Sequence, residues 1–510
     1  MEFFFSCDTL QSEEGMHIVA GLDVGTQSTK LICYDAAQKK VVGKASSSHR
    51  IITGEGGTSE QEAGWYLDAV RSCFKQIAQP IKDKIVALGV SGQQHGFVPV
   101  GKNGEALAPV KLWNDTSTVA ECETLTERLG GKDAVFELIN NEIMPAYTLA
   151  KILHLKNHRK EAYEQLAHLL LPHDWVNFYL TGEYFTEAGD ASGTAYYSPG
   201  KQAWEPQMLR AVDEKKHLEH MLPTLIESHE IGGRLHRAAA EELGLKPGIV
   251  VSTGAGDNMA SAIGTGCTSG GDLVMSMGTS GTLFGYSDTL VADRQGRLSA
   301  FCSSTGGYLP LLCTNNCTLS TEVIRNLFSR DVKTLDMLAS KAPIGARGVT
   351  VLPFFTGERV PYLPYGKGVI AHLDSQNTTE ENIARAALES AVFALRGGMD
   401  TFSELGFTPS RLILTGGGAN SKIWRQIASD AFNLDVIVPS STESAALGVA
   451  LQALWALEGG SITEIASEHV FFDGDKMHRP DRTAVELYAE AYKRYSMYVE
   501  ALTPVFTRRT

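Results

Sequence analysis

The sequence predicts an α/β fold made of two like lobes around a central cleft. Three observations carry that prediction. The first is an internal repeat: Val24-Gly-Thr-Gln-Ser-Thr-Lys-Leu31 aligns with Met277-Gly-Thr-Ser-Gly-Thr-Leu-Phe284, 253 residues later in a chain of 510. Each copy is a glycine followed by hydroxyl residues between two strand patterns, and motifs half a chain apart indicate duplication. The second is the alternation of short apolar strands with helical patterns through both halves. The third is the stretch Gly248–Gly266, GIVVSTGAGDNMASAIGTG, where a strand ends in glycines and a helix begins at one carboxylate, Asp257.

Taken in order, His17–Leu22, LICYD and VVGKASSSHRII read as three strands, with Asp23–Lys30 (DVGTQSTK) as the first turn. Trp65–Gln79 places Trp65, Ala69, Val70, Cys73, Phe74 and Ile77 on one helical face. Ile85–Val90 is a buried strand ending in SGQQHG, and Val110–Trp113 is a short one ending in WND. Val119–Leu129 and most of Thr148–Leu171 read as helix, resuming at Val176–Leu180. Residues 181–204 are turn-rich and aromatic, a surface insertion or cleft wall. In the second half, Asp272–Tyr286 is strand–turn–strand, Tyr308–Cys313 and Val349–Phe355 are strands, and Leu319–Phe328 and Glu380–Leu405 are helices. Arg411–Leu414 runs into TGGGAN, and then come helix Trp424–Phe432, strand Val436–Val438 and helices Glu443–Leu457 and Thr483–Leu502.

Composition excludes several classes. The net charge is −14, and no long basic run occurs. An acidic surface repels nucleic acid and anionic membranes, so neither is an expected partner. No apolar run approaches a membrane span, and residues 1–15 lack the basic start and apolar core of a signal peptide. They read as a leader or remnant, and the expected location is cytoplasmic. The eight cysteines form no CxxC pair and are expected to be reduced and packed.

The chemistry concentrates in four places. In the two glycine turns, successive backbone N–H groups and a hydroxyl face one concavity, which suits phosphate oxygens. Asp23 stands beside the first and can hold Mg²⁺ through water. No GxxxxGK[ST] and no GxSxG occurs. Gly416-Gly417-Gly418, between strand and helix, lets a ligand approach the backbone. Gln93, Gln94, His95 and Trp113-Asn114-Asp115 follow strand ends, where amide, imidazole and carboxylate groups suit a polyhydroxylated substrate. Asp257 reads either as a helix N-cap or as a functional carboxylate.

GLDVGTQSTK, GVSGQQHG, LWND, GAGDN, SMGTSG, FFTGERVPY at 354–362, NIARAALES at 382–390 and TGGGAN stand in the order found in one family. On these motifs the chain resembles the FGGY carbohydrate kinases, most closely the xylulokinase branch, from about residue 16 to past 450. The resemblance implies the actin-like ATPase (ribonuclease H-like) fold. It implies a sugar-binding lobe at 16–259 and a nucleotide-binding lobe at 260–510. It implies an ATP- and Mg²⁺-dependent kinase acting on a ketose, D-xylulose first, with another pentulose, a glycerol-like polyol or a structural ATPase as alternatives, and it leaves a homodimer open. By motif match Asp257 is the catalytic base. Gln94, His95, Trp113, Asp115 and Asn258 fall at sugar-binding positions. Asp23, Gly25, Thr26, Gln27, Gly278 and Thr279 match the phosphate region, and Gly416, Gly417, Ala419 and Asn420 the nucleotide site. Asp23 and Asp257 match the metal region. The match departs at Gln94, where similar chains carry Met, at His154, near which the family signature has Trp, and at His372, where it has Gly.

Overall fold

The computed structural model describes residues 17–507. The segment expected to be a leader, 1–15, lies outside them. The first sheet is seven-stranded and contains β1 (Ile18–Val24), β2 (Ser28–Asp35), β3 (Lys40–Ser48), β4 (Ile85–Gly92), β5 (Ile231–Arg234) and β6 (Val250–Ser252), in the order β5-β6-β4-β1-β2-β3, with Ala255–Gly256 paired to β4. The second contains β7 (Asp272–Met277), β8 (Gly281–Gly285), β9 (Leu311–Thr314), β10 (Arg411–Thr415) and β11 (Asp435–Ile437), in the order β9-β8-β7-β10-β11. Both sheets start with an antiparallel meander, and then the first strand pairs in parallel with a later one: β1 with β4, and β7 with β10. The repeat is therefore a repeat of topology. The second turn is one residue tighter, since β1–β2 closes at Val24↔Thr29 and β7–β8 at Met277↔Gly281.

Strand register explains the position of the opening carboxylate. Asp23 pairs with Ser91, and Ser91 with Ala255. One row across three strands thus ends two residues before Asp257. The relevant helices are α1 (Ala63–Gln76), α2 (Val119–Arg128), α3 (Thr148–His158), α4 (Asp257–Gly264), α5 (Glu380–Glu404) and α6 (Ser444–Glu458). The α1 helix buries Tyr66, Val70, Cys73 and Phe74 with the apolar residues of β1 and β4, and α5 forms the spine of the second core.

The α6 helix comes from the second half but packs on the first sheet, joining Ala446, Ala450 and Leu451 to Val19, Ile32 and Ala87. It crosses α4 at two glycines, because a Cβ on Gly264 would stand 1.9 Å from the Ser444 carbonyl, and one on Gly448 would stand 1.8 Å from that of Ala260. Only paired glycines let two helices approach so closely.

Two expectations need correction. Helical pattern was expected through Leu171, but Leu166–Leu170 is a strand paired with Val98–Gly101, because β-branched and aliphatic neighbours there complete a sheet rather than a helix face. Residues 181–204 are not a surface insertion: Glu187, Asp190, Tyr196 and Tyr197 are buried. The seven cysteines among the described residues are unpaired. No helix among those residues is long and apolar enough to cross a membrane.

Candidate active site

A cavity of about 350 Å³ opens between the two sheets. Asp23, Gly25 and Thr26 line it from the first sheet, and Ser276, Gly278 and Ser280 from the second. The two turns that the repeat predicts thus face one space. Gly25 N–H donates to the Ser28 carbonyl at 3.0 Å, and Gly278 N–H to that of Ser280 at 3.1 Å. The Thr26 hydroxyl is not free for a phosphate. It donates to Gln93 Oε1 and accepts from Trp113 Nε1, both at 2.9 Å. It fastens the turn to the indole, leaving the backbone as the anion-binding element.

Asp257 is the first residue of α4, and the N-cap is Gly256. The N-cap position thus falls to Gly256 rather than Asp257, whose carboxylate, one residue further along, meets the Asn258 backbone N–H. Oδ1 also accepts from Asn258 Nδ2 at 2.8 Å, and that amide donates to Gln94 Oε1 at 2.8 Å. Burial, with the carboxylates of Asp23 and Asp190 nearby, pushes Asp257 up to about 7. Burial likewise raises Asp23 to about 6, against the pull of Lys30 and a 3.2 Å bond from the Ser91 hydroxyl. Lys30 offers little free charge, being paired with Glu443 at 2.7 Å. Two confined carboxylates without a dedicated cation, facing a cavity with room for water, are a donor set that fits Mg²⁺.

Three buried polar atoms of the wall have no hydrogen-bond partner: Gln94 Nε2, His95 Nδ1 and Thr282 Oγ1. Buried polar atoms are normally satisfied, but these three are shielded from the open cavity, and the Nδ1 edge of His95 packs against Gly193, where a Cβ would stand 2.0 Å from it. His95 adopts φ +63°, a left-handed backbone uncommon outside glycine. Its carbonyl is held by Lys151 Nζ at 2.6 Å and Thr148 Oγ1 at 3.3 Å, both on α3. Burial, with Lys151 and Arg359 nearby, keeps the imidazole neutral.

The remaining expected residues lie elsewhere. Asp115 does not line the cavity. Its carboxylate is taken up by Ser59 N–H, Lys111 and Ser117, and it braces the loop that presents Trp113. Gln27 and Thr279 are exposed at the tips of their turns. Gly416, Gly417, Ala419 and Asn420 form the loop after β10, beyond the cavity. Gly416 has φ +80°, and a Cβ there would stand 2.6 Å from the Met277 carbonyl, so this loop lies directly against the second turn.

Several residues escaped the sequence reading. Arg359 donates to the Trp113 carbonyl at 3.3 Å and stacks 5.3 Å above the indole, joining the lobes across the cavity. Asp190, beside Asp257, is bonded at 2.8 Å to buried His173. Burial would lower His173, but Asp174 and Asp190 outweigh it and raise it to about 9. Gln452 of α6 binds Gly254 through both N–H and C=O, at 3.0 and 2.9 Å, and locks the turn leading to Asp257. The FFTGERVPY motif at 354–362 could have pointed to Arg359; nothing local marks Asp190 or Gln452.

A family model for the FGGY carbohydrate kinases, N-terminal domain, matches residues 18–264, and the C-terminal domain model matches 273–457. The chain is 39% identical to a xylulose kinase of Haemophilus influenzae over 94% of this chain and 99% of that protein. It is 34% identical to one from Streptomyces coelicolor, covering 88% and 90%. Among solved structures, a xylulose kinase from Bifidobacterium adolescentis superposes with a TM-score of 0.81 at 30% identity, covering 93% and 99%. A Plasmodium falciparum glycerol kinase with ADP shares the fold at a TM-score of 0.83 and 19% identity, covering 98% and 100%.

Proposed function

This chain belongs to the FGGY family of carbohydrate kinases, and from that premise we propose that it transfers the γ-phosphoryl group of ATP to a hydroxyl of D-xylulose, giving D-xylulose 5-phosphate. It has the family's actin-like two-lobe fold. The observation that carries the reading is the company of Asp257: two backbone turns from opposite sheets, with Gln94, His95 and Asn258, around one cavity.

In this reading Gln94, His95 and Asn258 hold the sugar hydroxyls, and Trp113 offers its face to the C–H side. Asp257 orients the acceptor hydroxyl and takes its proton at a carboxylate oxygen as the oxygen bonds to phosphorus. Phosphoryl transfer rests mainly on positioning and charge neutralisation. The Gly25 and Gly278 N–H groups close their own turns, so the next N–H groups of each turn, at Thr26 and Gln27 and at Thr279 and Ser280, donate to phosphate oxygens. The loop at Gly416, Gly417, Ala419 and Asn420 holds the nucleoside end. Asp23 and Asp257 would hold Mg²⁺, which supplies positive charge against the phosphates when bound. Arg359 on Trp113 closes the lobes over the sugar and excludes water. The sugar-binding lobe is 16–259 and the nucleotide-binding lobe 260–510 in this proposal, with the boundary running through α4.

Coupled ADP release across a panel of ketoses and polyols tests the function. D-xylulose should give the highest kcat/KM. ATP turnover independent of any sugar would refute the assignment, and a polyol as best substrate would refute the sugar.

A further inference from the structure

Outside the cleft, one cluster has the composition and spacing of a metal site. His154 and His158 stand one turn apart on α3, with ring centroids 4.3 Å from each other. Residues four apart share a helix face. Glu121 on α2 faces them, and its Oε1 lies 3.3 Å from His158 Nε2. One ligand atom from each of the three lies within 4.8 Å of the other two.

We propose that Glu121, His154 and His158 form a zinc site that clips α2 to the last turn of α3. Ligands on one tetrahedral Zn²⁺, each about 2.0–2.1 Å from it, stand about 3.4 Å apart. The Glu121–His158 pair already has that spacing at 3.3 Å, and the other pairs, within 4.8 Å, close by at most about 1.4 Å through rotation of the half-buried His154 and exposed His158 side chains. Two imidazole nitrogens and a carboxylate oxygen suit zinc, with water in the fourth position on the open side of His158.

Charge balance points the same way. The Glu121 carboxylate is buried, and among the described residues no Lys or Arg pairs with it. Its polar neighbours are His158 and the Asn157 amide, which donates to Oε1 at 3.3 Å. A buried carboxylate calls for a cation, and the Asn157 bond orients the oxygen as outer partners of metal ligands do. The clip would stiffen α3, the helix whose first turn holds the His95 carbonyl.

The test uses chelator-stripped, full-length protein and Co²⁺, whose visible d–d bands report low-symmetry nitrogen and oxygen coordination. A His217→Ala background removes the exposed His217, Glu219, His220 group as a competitor. One equivalent of Co²⁺ should develop bands that Zn²⁺ abolishes, and Zn²⁺ should raise Tm. His158→Ala, at an exposed position, should keep metal-free Tm and kinase activity but weaken binding by about 100-fold or more. His154→Gln should do the same to binding. Absence of bands at stoichiometric Co²⁺, or bands and a Tm rise that survive in both variants, would overturn the site and leave a His–Glu hydrogen bond.

Discussion

Asp257→Asn should abolish catalysis and stabilise the fold. The substitution keeps shape and the neighbouring Asn258 but removes a carboxylate that burial, Asp23 and Asp190 push from 3.8 to about 7. A folded pKa above the unfolded one means that the native state holds the proton more tightly. The wild type is therefore penalised as pH rises from about 4 through about 7. At 1.36 kcal/mol per pKa unit the penalty at pH 8 is at most about 4 kcal/mol. The amide escapes it. In Mg²⁺-free buffer at pH 8 the variant should melt a few degrees above wild type, the gap should narrow toward pH 4, and added Mg²⁺ should favour the wild type. Loss of a positioned base costs about 10²–10⁴ in rate, so kcat should fall by at least that range while ATP still binds. Differential scanning calorimetry and a coupled ADP assay read the two effects. Near-normal kcat would remove Asp257 as the base. A variant less stable than wild type at pH 8 would refute the account of its electrostatics.

Three further outcomes are expected. Gln94→Met fills similar volume but removes the free Nε2 donor and the acceptor for Asn258; kcat/KM ratios among ketoses should shift by about 2- to 10-fold, with KM for ATP unchanged. Gly416→Ala forces a Cβ against the Met277 carbonyl at positive φ, so a urea titration should show a loss of about 1–3 kcal/mol, and KM for ATP should rise more than KM for sugar. Asp257 must be ionised to accept a proton, so kcat/KM should rise with pH along an acid limb at or below about 7. Raising Mg²⁺ should move that limb to lower pH, as a pH–rate series at two Mg²⁺ concentrations would show.

Motifs that sit within a few consecutive residues were legible. Gly25, Gly278 and Asp257 each combine a strand end, glycine and a polar group within one turn, and backbone rules act at that range. The repeat was legible because both copies obey the same local pattern. Asp115 misled for the same reason: it follows Trp113 in sequence, but the loop turns it inward to Lys111 and Ser59. The strand Leu166–Leu170 misled because its partner, Val98–Gly101, lies far along the chain.

The sequence by itself determined the two-lobe plan, the glycine turns and the carboxylate at the head of α4. Tertiary structure alone decided what surrounds that carboxylate. Burial, with Asp23 and Asp190 beside it, makes its carboxyl hold the proton more tightly, Gln452 fixes its turn, and Arg359 reaches Trp113 from 246 residues away. Desolvation and Coulomb energy depend on distance in space, and separation along the chain does not reveal that distance.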